Sequence, residues 1–326
     1  MSGSTKPAEG TRILAIVGPT GVGKTLMALD VAKELNAEIV SVDSMQVYRG
    51  MDIGTDKPDA KERGKARFHL IDIADVKTDF SVADFKKAAD EVIADIDSRG
   101  KTPLLVGGSG LYYRAVVDDL DFSNASDPYR EETEEELEEM SDDELHLILA
   151  SVDPAAAAEI PSANRRRVLR AIDVARKGDR LISERQYSWS DFDSPYELRV
   201  AGLDMERHVL YAMIDMRVDS MVQRGLEKEV IRLVEAGLKA GTTAGEALGY
   251  RQILDYLDGD VSLAKAVDET KKRTRNLAKR QLTWFRKDPR IEWFDIPARH
   301  GDTPDVVRMK TGATSRKVLE YLSQTE

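Results

Sequence analysis

Cysteine is absent from the chain and histidine occurs only four times. The first absence excludes a disulfide framework, thiolate metal sites and a cysteine nucleophile, and the second argues against a multi-histidine zinc site. Long apolar runs are missing too. The longest early one, Ile13-Leu-Ala-Ile-Val17, has five residues, far short of the ~20 that a membrane-crossing helix needs. Positive charge is in deficit, with 48 Lys and Arg against 59 Asp and Glu. The surface as a whole therefore repels polyanions, and any nucleic-acid site must be a local patch. Residues 1–11 are polar, with Gly, Ser and Pro and no apolar segment of the kind that directs export. They read as a disordered tail on a cytoplasmic protein. What is present, 41% apolar and 33% charged residues in a chain of 326, suits a soluble, helix-rich protein of about two domains.

Short β-branched runs alternate with stretches of helical periodicity. Residues 13–17 end at Gly18 and precede apolar residues at helical spacing, Leu26, Leu29, Ala32 and Leu35. Further strands are expected over 38–42, 68–73 and 103–106, with a helix over 82–98 between the last two. This alternation predicts an α/β fold, a P-loop NTPase-like parallel sheet flanked by helices. The texture changes after Leu120: residues 121–145 hold twelve acids and one base, and residues 162–187 hold eight bases and three acids. Residues 121–200 are accordingly expected to form a helical insertion domain, with 12–120 and 201–300 making the P-loop domain. Residues 209–214 are read as the strand that returns to its sheet, residues 217–236 as one amphipathic helix, and 301–326 as a polar C-terminal tail.

Gly18-Pro19-Thr20-Gly21-Val22-Gly23-Lys24-Thr25 fits G-x-x-x-x-G-K-[ST] between an expected strand and an expected helix, the context in which the pattern is meaningful. Its glycines let backbone N–H groups turn toward phosphate oxygens, the helix N-terminus adds a positive dipole end, and Lys24 adds a charge. Thr25 places a hydroxyl where Mg²⁺ would sit. The loop does not say which phosphate compound it holds. The strand at 103–106 ends in Gly107-Gly108-Ser109-Gly110 without the metal-reaching aspartate usual in nucleoside triphosphatases, although Asp72 could supply one. The carboxylate best placed is Asp43, at the end of the second strand, where open α/β sheets bind ligands.

These motifs recur in a definite order: the phosphate loop, Ser41-Val-Asp-Ser-Met-Gln-Val-Tyr48, Met51-Asp-Ile-Gly-Thr-Asp-Lys-Pro58, Gly107-Gly-Ser-Gly-Leu-Tyr112, Arg217-Val-Asp-Ser-Met221, Ala247-Leu-Gly-Tyr-Arg251 and Ala278-Lys-Arg-Gln-Leu-Thr-Trp-Phe-Arg286. Together, over about residues 12–296, they resemble the bacterial tRNA dimethylallyltransferases, also called isopentenyltransferases. The resemblance implies transfer of a dimethylallyl group from its diphosphate to N6 of the adenosine immediately 3′ of the anticodon. It implies Asp43 as general base, with Ser109 beside it in place of the family's threonine. The 18–25 loop with Lys24, and Arg217, would bind the diphosphate, with Mg²⁺ on Thr25. Ser44, Met45 and Gln46 would line the pocket of the extruded adenine, and Arg130 aligns with a family RNA contact. The partners implied are dimethylallyl diphosphate and the anticodon stem-loop of tRNA, with no membrane and a monomeric enzyme.

Two basic stretches supply what the overall charge denies. One is Asn164-Arg165-Arg166-Arg167-Val168; the other lies within residues 271–290, which hold nine bases and one acid and include Arg273, Lys279 and Arg280. On a helix, Arg273, Asn276, Leu277 and Arg280 share one side. Trp284 and Phe285 are expected in the core. From the residues alone, a small-molecule kinase, an adenine-nucleotide prenyltransferase and a nucleotide-sensing RNA-binding switch remain alternatives.

Overall fold

The computed structural model describes residues 6–120, 122, 137, 139–176, 181, 183, 192–299 and 301–324. Six strands form one sheet: β1 (Arg12–Val17), β2 (Ala37–Ser41), β3 (Phe68–His69), β4 (Thr102–Gly107), β5 (Glu197–Asp204) and β6 (Ile291–Asp295). Their order is β3-β2-β4-β1-β5-β6, and every pairing is parallel. The helices of the same unit are α1 (Lys24–Glu34), α2 (Ala60–Arg63), α3 (Val82–Ser98) and α4 (Gly110–Val117) before the insertion. The chain between α4 and β5 carries α5 (Asp142–Val152), α6 (Pro154–Glu159) and α7 (Arg165–Arg176). After β5 come α8 (Arg207–Gln223), α9 (Leu226–Glu235), α10 (Tyr250–Leu257), α11 (Leu263–Phe285) and α12 (Pro304–Ser323).

Strand β1 shows why the sheet has two covered faces. Its side chains alternate between two cores, Ile13, Ala15 and Val17 in one and Leu14 and Ile16 in the other. A strand buried on both faces reads as an unbroken apolar run, as this one does. One face packs against α1, α8 and α12 through residues such as Met27, Leu210, Ile214, Val318 and Leu322. The other packs against α3 and α4 through Phe85, Ile93, Tyr113 and Val116, with Phe285. Helix α3 begins where Ser81 and Asp84 form a reciprocal capping box, which satisfies two of its unpaired N–H groups.

The molecule divides into two compact units, Met1–Asp121 with Ser194–Glu326, and Phe122–Asp193. The smaller has its own core, in which Leu145 and Leu149 of α5, Ala156 of α6 and Val168, Ala171 and Ile172 of α7 are fully buried. The division falls near the expected boundaries, but the return to the sheet precedes residue 201.

Three sequence expectations are corrected. The return strand is β5, and residues 209–214 lie inside α8; six consecutive apolar-rich residues fit a strand or a buried helix equally well. Residues 217–236 form parts of two helices, because Gly225 adopts φ 96° and breaks the run. Residues 301–326 are not a polar tail: α12 starts at the Thr303 cap with Pro304 in its first turn, and it buries Val307, Val318 and Leu322. Thr-Pro is a helix-start signal, diluted here by the helix's many charged outer residues.

Candidate functional site

The carboxyl ends of β1, β2 and β4 meet at one cavity of about 620 Å³, the position where open parallel sheets take ligands. The loop after β1 reaches α1 through Gly23, at φ 99°, a conformation that side chains other than glycine's resist. Thr20 of that loop lines the cavity. Arg217 of α8 donates from Nη1 to Thr20 Oγ1 at 3.1 Å, and its Nε lies 3.3 Å from Asp56 Oδ2. Lys24 Nζ donates to the carbonyls of Gly18 and Pro19 at 3.0 and 2.8 Å. Burial first, and then the positive charge of Arg217, pull the Lys24 ammonium down against the opposing Asp43 carboxylate, to a pKa of about 7. The residue as a whole keeps some exposure; its amine, held against the loop's own carbonyls, is the desolvated part.

Asp43 follows β2 and lines the cavity. Its Oδ1 accepts from the backbone N–H of Met45 at 2.9 Å and of Gln46 at 3.3 Å, an Asx turn that fixes the carboxylate. Both bonds use the same oxygen. Ser109 does not bond Asp43 directly. Its Oγ accepts from Ser44 N at 3.2 Å and lies 3.4 Å from Ser44 Oγ, so it braces the residue next to the aspartate. Ser44 and Met45 line the cavity, whereas the Gln46 amide is engaged elsewhere, with Ser41 Oγ at 2.8 Å and Thr55 O at 3.2 Å.

Across from these groups the wall is apolar: Ile214, Val218 and Met221 of α8, Leu248, and Leu277 and Trp284 of α11. Helix α11 contributes Thr270, Thr274, Leu277, Gln281 and Trp284, spaced by threes and fours as one helix face must be. Phe285 is fully buried as expected, and Trp284, packed against the same core in part, also lines the cavity. Adjacent helix positions point about 100° apart, so beside a fully buried Phe285 the Trp284 ring reaches both the core edge and the cavity.

The basic residues divide. Lys279 and Arg280 are exposed on α11, and Arg280 also lines the cavity. Arg273 is exposed and pairs with Glu269 at 2.8 Å. In the smaller unit Arg167 and Asn164 are exposed. Arg165 donates to the Met140 and Leu137 carbonyls and pairs with Asp142, so it holds that unit together. Val168 is buried in the core, which removes its side chain from any RNA surface. The Arg166 side chain and Arg130 lie outside the described residues.

Sequence reasoning missed Glu229. It is 3% exposed and accepts from the N–H groups of Asp52, Ile53 and Gly54 and from the Tyr250 hydroxyl at 2.6 Å. It thereby pins the turn whose Gly54 and Thr55 line the cavity. The signal was an acid on the apolar side of α9. Removing a buried carboxylate that serves four donors leaves them unsatisfied, so Glu229→Ala is expected to lower unfolding stability by about 3 kcal/mol. Urea denaturation measures this, and a loss under 1 kcal/mol would dismiss the anchor. Among the described residues no group of three or more His, Cys, Asp or Glu side chains could hold a metal by itself.

Fold and site together define a class: parallel α/β proteins with a strand–glycine loop–helix turn and a ligand cleft at the strand ends beside a fixed carboxylate. Within that class, the chain belongs to the IPP transferase family, whose sequence model matches residues 46–288. The tRNA dimethylallyltransferase of Halalkalibacterium halodurans is 45% identical over 287 residues, 87% of this chain and 91% of its own. That of Carboxydothermus hydrogenoformans is 46% identical over 289 residues, 87% and 92%. Among solved structures, a tRNA isopentenylpyrophosphate transferase from Bacillus halodurans matches with a TM-score of 0.67 and 42% identity, over 96% of this chain and 98% of that one. A eukaryotic dimethylallyltransferase acting on tRNA matches with a TM-score of 0.74 and 25% identity, over 88% and 74%.

Proposed function

We propose that the protein transfers a dimethylallyl group from dimethylallyl diphosphate to N6 of the adenosine immediately 3′ of the anticodon in tRNA. The observation that carries this reading is one cavity lined by Thr20 and Arg217, by the fixed carboxylate of Asp43 and, across from them, by an apolar wall. Family membership gives the reading its substrates.

In the reaction the N6 lone pair forms a bond to C1 of the donor while the C1–oxygen bond breaks, and diphosphate departs with that electron pair. The adenine amine is weakly nucleophilic because its lone pair is delocalised into the ring. Asp43 takes the N6 proton as the new bond forms. The 18–25 loop, Lys24 and Arg217 bind the diphosphate and stabilise the charge that grows on its bridging oxygen. Mg²⁺, held by Thr25, would neutralise part of that charge. Burying five carbons at ~0.8 kcal/mol each gives only ~4 kcal/mol, so diphosphate contacts dominate donor affinity and the apolar wall selects chain length. The target base lies in a single-stranded loop, where extrusion costs only a few kcal/mol.

The exposed bases of α11, with Arg167 and Asn164 of the smaller unit, supply the phosphate contacts in this reading. Counterion release then makes tRNA affinity fall steeply with salt, and Arg280→Ala is expected to flatten the log–log slope by about one unit. Filter binding across a salt series measures it; an unchanged slope takes Arg280 out of the interface. The reading also makes the protein a cytoplasmic monomer, and among the described residues no helix is long and apolar enough to cross a membrane. The deciding experiment incubates the protein with labelled dimethylallyl diphosphate, Mg²⁺ and unmodified tRNA, without ATP, with AMP as a parallel acceptor. Label in tRNA alone supports the reading, label in AMP assigns a nucleotide prenyltransferase, and label in neither overturns both.

A further inference from the structure

Helix α11 touches the cavity's two loops through one amide. Gln281 Oε1 accepts from Thr20 N at 2.8 Å, in the loop after β1, and its Nε2 donates to Gly108 O at 2.9 Å, in the turn after β4. The two bonds have opposite polarity, so only an amide in this one orientation makes both. The contact is close on all sides. A Cβ on Gly108 would collide with Gln281 Nε2, and one on Gly110, two residues on, would collide with the Trp284 ring. Two glycines therefore admit two consecutive residues of the α11 cavity face. The Thr20 side carries the hydroxyl that meets Arg217, while the Gly108 side leads directly into Ser109, which braces Ser44 beside Asp43.

We propose that Gln281 is a positioning residue, resting on the transferase reading above: it sets the separation between the diphosphate end of the cavity and the Asp43 end. The donor's C1 and the acceptor's N6 must approach within bonding reach while one is held from each loop. A shift of about 1 Å between such holders costs on the order of 10²-fold in rate. Gln281 neighbours Arg280 on the same helix, so the element that meets RNA also carries the clamp that spaces the reacting groups.

The test compares wild type with Q281M, which keeps the length of the side chain and loses both hydrogen bonds. Single-turnover label transfer at saturating donor and tRNA is expected to fall about 10- to 100-fold, with tRNA affinity within twofold of wild type and the cooperative melt retained. G108A is expected to show a comparable loss by displacing the amide. In G108A/Q281A the amide that the new methyl would strike is gone and only the Gly18 carbonyl, 3.3 Å away, stays close to it, so the double variant should approach the rate of Q281M rather than show the product of two losses. Q281E keeps the oxygen that accepts from Thr20 and sets a carboxylate against the Gly108 carbonyl; it gives the same rate test should Q281M not fold. Transfer within threefold of wild type in Q281M, a loss confined to tRNA affinity, or multiplicative losses in the double variant would each overturn the role. A wild-type protein that transfers no label overturns the transferase reading itself, a separate outcome from an active wild type matched by an active Q281M.

Discussion

Asp43→Asn is expected to slow transfer to tRNA by about 10²–10⁴-fold at saturating substrates, the range a general base contributes. The substitution isolates proton abstraction from architecture. Asparagine Oδ1 can still accept from Met45 N and Gln46 N, the two bonds that fix the side chain, so the turn after β2 keeps its shape. What disappears is the negative charge and the basic oxygen that would receive the N6 proton. Donor and tRNA affinities should stay within a few fold, which separates this defect from that of a binding residue. Single-turnover transfer with pre-bound donor is the measurement. A rate within fivefold of wild type would remove Asp43 from the proton-transfer step and leave it as a loop anchor.

The second large effect concerns Lys24. With its pKa near 7 in the absence of donor, the lysine is mostly neutral at pH 8, yet a bound diphosphate favours the ammonium form. Donor binding at pH 8 should therefore take up about one proton, and donor affinity should fall about tenfold per pH unit above 7 until the bound-state pKa is reached. Below about pH 6 the lysine is already charged, so its proton uptake vanishes. Calorimetry in buffers of different ionisation enthalpy reads this directly. Lys24→Met should abolish the uptake difference between pH 6 and pH 8 and reduce kcat/KM by about 10²–10³-fold, as removal of a charge-stabilising donor does. Equal uptake in wild type and variant would show that the proton enters elsewhere.

The parts of this protein that were legible in the sequence are those set by neighbours along the chain. The loop from Gly18 to Thr25 carries its meaning in eight residues, and helix α3 announces its start with Ser81 and Asp84. Asp43 was found because strand ends are where α/β ligands sit, and its Asx turn is local as well. The missed features depend on residues far apart. Gln281 meets Thr20 across 261 positions and Glu229 meets Ile53 across 176, and nothing at either end marks the partner. Gln46, expected to face the adenine, is instead engaged by Ser41 and Thr55, a competition visible only once the 53–56 turn is folded back. Trp284, expected in the core with Phe285, packs against that core in part and turns its remaining surface to the cavity. The residues of α12 were too charged to betray a helix whose narrow inner stripe closes one face of the sheet.

The placement of the inserted unit between α4 and β5 also bears on how the protein is made. Strand β1, near the middle of the sheet, pairs with β4 on one side and with β5 on the other. During synthesis the first partner is available once residue 107 has emerged, but the second follows only after about 90 further residues, roughly five to twenty seconds at about 5–20 residues per second. For that interval the nascent chain presents an apolar strand with one unpaired edge, the kind of surface that recruits other chains. Any change that slows translation through the insertion lengthens that exposure, so synonymous codon choice in this stretch bears on yield while leaving the folded protein unaltered.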